Sequence, residues 1–368
     1  MKNIGLYLHI PFCKSKCPYC DFYSFSGKEN EKDEYTKVLN ERILLSISTL
    51  HSRCDCKADT LYIGGGTPSV LGAENLATLV NSCNYFLTDD AEITVECNPY
   101  GLNEEFFRIL YDCGVSRISL GLQSAIDNER RILGRLSDRN QVENAVKTAQ
   151  KVGFNNITLD VMLGVPNQTE KSLNETLDFC ISLDVPHISA YMLKLEENTH
   201  FYKNQSKYNF PDDDLTADLY LQMCEVLESN GIMQYEISNF SKKGYESRHN
   251  LKYWHCEEYL GLGPSAHSFM DGKRFYFDRD FNSFMNGNSP IQDGIGGDFT
   301  EYAMLNLRLV EGLQESKIFE RFGHSIPKSI YEKSQIFIDN GYMVNENKTL
   351  KLTRKGFLLS NSILSEIL

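Results

Sequence analysis

Six β-rich runs recur through the first 200 residues, and each is followed by a longer stretch whose apolar residues have helical spacing. The runs are IGLYLHI from Ile4, TLYIGG from Thr60, EITVEC from Glu92, RISLGL from Arg117, NITLDVML from Asn156 and HISAYMLKL from His187. Between them lie segments such as DEYTKVLNERILLSISTL and DRNQVENAVKTAQKVG, the second closing on Gly153 as helices commonly do. Parallel strands need a long crossover between them, and a helix supplies it, so this alternation predicts βα units around a parallel sheet. Six units rather than eight predict an α/β fold built on a partial (β/α)6 TIM-type barrel that stays open.

The unusual residues sit at the carboxyl ends of these runs. Cys13, Cys17 and Cys20 follow the first, GGGTPS the second, and Glu96 with CNP ends the third. Gln123 ends the fourth, Asp160 and GVPNQT the fifth, Tyr191 and Lys194 the sixth. In a parallel barrel all carboxyl ends open onto one mouth, so these residues are expected to share one site.

The three cysteines have CxxxCxxC spacing, followed by Asp21 and two aromatics. A four-iron cubane cluster normally takes four thiolates, so three leave one iron with an open position for a small molecule. Zinc is the competing reading, with His9 or Asp21 as the nearby candidates for a fourth ligand. The other eight cysteines are scattered and read as buried apolar residues; Cys54 and Cys56, the closest pair, are weak evidence for a metal. Eleven cysteines without a signal-peptide pattern are read as reduced thiols or metal ligands of a cytoplasmic protein.

A formal net charge of -13 argues against a general nucleic-acid binder, which needs basic stripes to neutralise phosphate. No apolar run approaches the roughly 20 residues that span a bilayer, which leaves only peripheral association with a membrane open. Beyond residue 200 the chain carries QYEISNFSKKGYESRHNLKYW and YLGLGPSAHSF, dense in Gly, Asn, Tyr and His, then a Gly, Asn and Asp-rich stretch read in part as a linker. The last seventy residues read as three helices, a β-wing around GYMVNENKTLKLT and a helix from Arg354. Three regions are therefore expected: 1–200 as the barrel, 201–297 as an extension and linker with the HNxxYW motif, and 298–368 as a winged-helix-like α+β domain.

CxxxCxxC with an aromatic, Tyr19, before the last cysteine resembles the radical S-adenosylmethionine superfamily. The resemblance implies that Cys13, Cys17 and Cys20 ligate a 4Fe-4S cluster whose open iron holds S-adenosylmethionine. It further implies a cofactor-binding set of Tyr7, Tyr19, Gly65, Gly66, Thr67, Glu96, Gln123, Arg135 and Asp160. In that set Glu96 accepts from the methionine ammonium, Arg135 pairs its carboxylate and Asp160 holds ribose hydroxyls.

YLHIPFCKSKCPYCDFYSF, YIGGGTPS, RISLGLQS, LDVMLGVPNQT, YEISNF, HNLKYW and YLGLGPSAHSF extend the resemblance over nearly the whole chain. Together they resemble the oxygen-independent coproporphyrinogen III oxidase-like group, nearer its haem-chaperone branch than its porphyrinogen-processing branch. Phe22 stands where the porphyrinogen-processing branch carries a further cysteine. The resemblance implies a protein that binds haem and passes it to acceptor haemoproteins, with an electron donor if the cluster is redox-active. The alternative it leaves is oxidative decarboxylation of coproporphyrinogen III.

His249 of HNLKYW is the candidate haem ligand, with Tyr253 and Trp254 as flanking rings, and a hydrogen-bonded structural histidine is the equal alternative. Two positions depart from the family pattern. LSD follows Arg135 where a histidine is common, and Asn167 replaces a usual glycine in GVPNQT.

Overall fold

The computed structural model describes residues 2–53 and 55–368, so Cys54 and any role for the Cys54 and Cys56 pair lie outside the described residues. All six predicted strands form: β1 (Lys2–Ile10), β2 (Cys56–Gly65), β3 (Leu87–Cys97), β4 (Arg117–Gln123), β5 (Asn156–Leu163) and β6 (His187–Met192). They pair in sequence order and in parallel. The sixth is shorter than its β-rich run, because the chain leaves the sheet after Met192.

Residue alternation explains how these strands divide helix layer from lumen. Ile4, Leu6, Leu8 and Ile10 of β1, like Leu61 and Ile63 of β2, are buried in the apolar core beneath the crossover helices. The intervening residues face inward and are mostly polar: Tyr7, His9, Thr60, Tyr62, Glu92, Glu96, Arg117, Ser119, Thr158 and Asp160. Parallel strands covered on both sides are usually apolar on both. The polar lumen is stabilised by its own hydrogen bonds, Tyr62 Oη to Glu96 Oε1 (2.8 Å), Arg117 Nη2 to Thr158 Oγ1 (2.9 Å) and Ser119 Oγ to Asp160 Oδ1 (3.1 Å). Such a departure from simple packing marks the lumen as functional.

The expected linker is instead part of the sheet. On one edge β6 pairs antiparallel with β8 (Asn239–Ser241), which pairs with β7 (Met233–Gln234). On the other, β9 (Tyr259–Leu262) lies parallel to β1, followed by the antiparallel β10 (His267–Met270), β11 (Lys273–Tyr276) and β12 (Ile291–Ile295). Among the described residues the sheet therefore has twelve strands and does not close. Within the stretch read as a linker, Phe281 and Phe284 are buried against Tyr35, with the Phe281 ring stacked on it at 5.7 Å. Scattered Gly, Asn and Asp mark the turns between these short strands rather than a flexible connection.

The C-terminal part carries helices Phe299–Asn306, Glu315–Phe322 and Lys328–Asp339, and a three-stranded sheet of β13 (Leu313–Gln314), β14 (Met343–Glu346) and β15 (Thr349–Leu352) in the order β13, β15, β14. Helices Arg354–Leu358 and Ser360–Ile367 close the chain, which matches the winged-helix-like expectation. One apolar core runs from Ile4 to Ile367, so this part packs continuously with the barrel.

Both departures from the family pattern have local explanations. Asn167 has φ 65°, the left-handed region that Gly favours and Asn tolerates best among the other residues. Asp138 of LSD caps the helix Arg139–Val152, accepting from Gln141 N (2.8 Å) while Gln141 Oε1 accepts from Asp138 N (3.0 Å).

Candidate functional site

The cysteine loop leaves β1 through Pro11 and Phe12 and is fastened before its first thiol. Cys13 N donates to Phe25 O and Phe25 N to Pro11 O, both at 2.9 Å. Phe12 sits among Phe25, Tyr35 and Phe281 with ring centroids 5.3 to 5.9 Å away. His9 anchors the far side: its Nε2 donates to Tyr23 O (2.8 Å), so its Nδ1 accepts from Tyr7 Oη (3.0 Å). Burial above all pushes the His9 imidazole down to about 4, which keeps it neutral in this role. With both nitrogens used, His9 does not supply the fourth ligand of a zinc site.

Cys13, Cys17 and Cys20 line one cavity of about 740 Å3 at the carboxyl ends of the strands. Among the described residues no three His, Cys, Asp or Glu side chains converge as ligands of a single ion do. A cubane instead takes each thiolate at a separate iron. Burial pushes the Cys20 thiol up, and the Lys16 ammonium pulls it back down.

The same cavity holds most of the expected cofactor residues: Tyr19, Gly65, Gly66, Thr67, Glu96, Gln123, Arg135 and Asp160. Thr67 Oγ1 donates to Cys13 Sγ (3.6 Å) and Arg135 Nη1 to Cys17 Sγ (3.8 Å). Glu96 is half-buried, with Oε1 accepting from Tyr62 Oη (2.8 Å) and Oε2 from Gly65 N (3.2 Å), and desolvation raises its carboxyl. Each oxygen keeps a lone pair for a further donor. Tyr7 is the one expected contact outside this cavity; it lines an adjoining one that shares Gly65, Glu96, Asp21 and Phe22.

The residues present fit an iron-sulfur cluster with S-adenosylmethionine. A Cβ on Gly66 would lie 2.8 Å from Phe12 O and 3.1 Å from Cys13 Sγ, so only glycine brings the backbone this near the first thiol. Gly65 has φ 116° beneath the His9 ring. Arg135 Nε is buried without a partner, a donor left over after its Nη atoms reach Gly121 O and Cys17 Sγ. An orphaned guanidinium donor in such a place suits a carboxylate.

Burial, with the Glu96 carboxylate second, pushes the Asp160 carboxyl up from 3.8 to about 7. An acid raised in the folded state penalises folding above its unfolded value, and the penalty grows until the folded value is passed. Asp160→Asn is therefore expected to stabilise the cofactor-free protein by an amount that rises from pH 3.8 to about 7 and then levels. Urea midpoints of the two proteins across that range measure it. A difference independent of pH would remove this account of the carboxyl.

His249 lies elsewhere, in the lumen below the mouth. It is 1% exposed, with Nδ1 bonded to Thr60 Oγ1 and Nε2 to Tyr253 Oη, both at 2.8 Å, and Tyr62 stacked on it at 5.2 Å. Burial pushes its imidazole down to about 3. Of the two readings of this residue, the fold presents the hydrogen-bonded structural histidine: neither nitrogen is available to an iron while Thr60 and Tyr253 hold them. The carbonyl of Trp254 accepts from Asn306 Nδ2 (3.1 Å) of a C-terminal helix.

Sequence reasoning missed Arg130 and Glu236. Arg130 sits in the short helix Asp127–Ile132 and donates to the carbonyls of Leu122, Ser124 and Ser137 around the Gln123 turn. Glu236 is fully buried and burial pushes its carboxyl up to about 7. Arg130 lies in no motif quoted above and Glu236 lies within YEISNF, but only the fold reveals what each touches.

The description "Radical SAM superfamily" belongs to the family model that matches residues 7–180. The chain is 33% identical over 375 residues to the haem chaperone HemW of Bacillus subtilis (strain 168), covering 98% of each. It is 34% identical over 372 residues to the haem chaperone HemW of Escherichia coli (strain K12), covering 98% of this chain and 97% of that one. Its fold is similar to coproporphyrinogen III oxidase (HemN) from Escherichia coli, with a TM-score of 0.86 at 20% identity over 100% of this chain and 90% of the other. At that identity the likeness concerns the fold alone.

Proposed function

The chain belongs to the haem chaperone HemW family of the radical S-adenosylmethionine superfamily, and on that premise we propose that it binds haem and passes it to acceptor haemoproteins. The observation that carries this reading is full-length similarity to proteins named haem chaperones, joined to a three-cysteine loop at the mouth of the matching fold. Cys13, Cys17 and Cys20 would hold a 4Fe-4S cluster, which when bound supplies an open iron for S-adenosylmethionine. Gly65, Gly66 and Thr67 would take the methionine end, Glu96 its ammonium and Arg135 its carboxylate. Gln123, Tyr19 and Asp160 would line the nucleoside side.

An electron donor for the cluster and a cytoplasmic location complete the proposal. No described helix is long and apolar enough to cross a membrane. His249 enters it as an iron ligand only if its ring leaves Thr60 or Tyr253.

Phe22 favours the chaperone over the porphyrinogen-processing alternative. It is 71% exposed at the rim of the cluster cavity, and no sulfur replaces it there. One anaerobic experiment tests both: the reconstituted protein is assayed in parallel for haemin binding and for coproporphyrinogen III turnover. Haemin binding without turnover is the expected result. Turnover to protoporphyrinogen IX without haemin binding would replace the reading with the enzymatic one.

A further inference from the structure

We propose that haem docks in the cavity beside the cluster mouth, between β1 and the β9–β10 edge, with His267 as the axial ligand of its iron. This rests on the reading that the chain binds haem. The cavity measures about 430 Å3 and is walled by Phe22, Tyr23, Tyr253 and Tyr259, with His267 and Arg279 on the same lining. Its volume lies in the range of ligand pockets, and aromatic walls suit the faces of a macrocycle.

Three imidazoles approach this region, and two are committed. His9 uses both nitrogens on Tyr7 and Tyr23, and His249 uses both on Thr60 and Tyr253. His267 is exposed, and among the described residues no hydrogen bond or ion pair engages its ring. Its position is nonetheless fixed. It opens β10 opposite Tyr276 of β11, and the two rings stack at 5.1 Å and 22°. An imidazole held in place by stacking, with no hydrogen bond to its ring, is what an iron(III) porphyrin takes as an axial ligand.

Arg279 supplies the second element of recognition. One Nη donates to Asp21 O (2.9 Å), and no carboxylate pairs with it among the described residues. Its remaining donors suit a propionate, the charged edge of haem. The two faces of recognition, an iron ligand and a carboxylate clamp, thus lie on one cavity walled in part by aromatic rings, with Asp21 and Glu96 also on its lining.

The geometry also gives His249 a part without iron. Its Nε2 holds the Oη of Tyr253, a wall of this cavity, and the Tyr253 ring meets Tyr259, another wall, at 4.5 Å. His249 is therefore a positioning residue, and the HNxxYW segment acts on haem through Tyr253.

The test is a haemin titration of the cluster-reconstituted protein and three variants, read by the position of the Soret band and by Kd. His267→Ala is expected to shift the Soret band and raise Kd at least about tenfold, with iron and sulfide contents unchanged. Free imidazole should restore the wild-type band in that variant, a rescue that a folding defect would not give. Arg279→Leu should raise Kd and leave the band in place, and His249→Ala should do the same. A His267→Ala protein with the wild-type band and Kd overturns the proposal, and a Soret shift in His249→Ala alone moves the ligand there. Failure of the wild-type protein to bind haemin overturns the underlying chaperone reading instead.

Discussion

Alanine at Cys13, Cys17 and Cys20 together is expected to leave a folded protein that holds no iron-sulfur cluster after anaerobic reconstitution. The fold around the loop does not depend on the thiols. Backbone bonds from Cys13 to Phe25 and from Phe25 to Pro11, with the Phe12, Phe25, Tyr35 and Phe281 rings, fix the loop's base, and His9 fixes its return through Tyr23 O. Cys17 and Cys20 are only half-buried, so their removal opens little cavity. Only Cys13 is buried, against Thr67 Oγ1. Iron and sulfide analysis and the visible absorption band of the cluster should both fall to background, while circular dichroism stays that of the wild type. Full retention of iron and sulfide would sink the assignment of all three cysteines.

The barrel and its mouth were legible in the sequence for a local reason. Each of β1 to β6 is a run of β-branched and aromatic residues bounded by turn residues, and the cysteine, glycine and carboxylate signals follow at strand ends, where βα loops must lie. The β9 to β12 edge was not legible. Tyr259–Leu262 is four residues long, and it becomes a strand because β1 offers a free edge, which is a fact about the sheet and not about the segment. His249 shows the same limit in a side chain. HNLKYW marks an unusual residue, but whether its imidazole faces a ligand depends on Thr60, 189 positions earlier in the chain. The same holds for His267, whose freedom is apparent only once the partners of His9 and His249 are known.

Arg130 shows what such long-range knowledge adds to a prediction. At the end of β4 the register against β5 shifts between Gly121 and Gln123, so Leu122 is the extra residue of a bulge, and Gln123 follows with φ 70°. A bulge leaves backbone groups without ladder partners, and here the Arg130 guanidinium takes them. Its Nη1 donates to Leu122 O (2.5 Å) and Ser124 O (2.9 Å), and its Nε and Nη2 to Ser137 O (3.0 and 2.5 Å). The side chain is 2% exposed and has no carboxylate partner among the described residues; burial lowers its own affinity for a proton, to about 10. Replacement by methionine removes a buried cation, which is favourable, yet strands three carbonyl oxygens in an apolar setting, which is not. Each stranded oxygen costs about 1–3 kcal/mol, so the net expectation is a loss of about 3 kcal/mol in the denaturant midpoint analysis. The bulge and the turn to Ser137 carry Gln123 and Arg135 into the cluster cavity, so Arg130→Met should weaken S-adenosylmethionine binding to the reconstituted protein as well. Lysine at the same position supplies charge but reaches one carbonyl rather than three, and should recover less than half of the lost stability. An Arg130→Met protein with unchanged stability and unchanged cofactor affinity would show that the bulge holds its shape without the guanidinium.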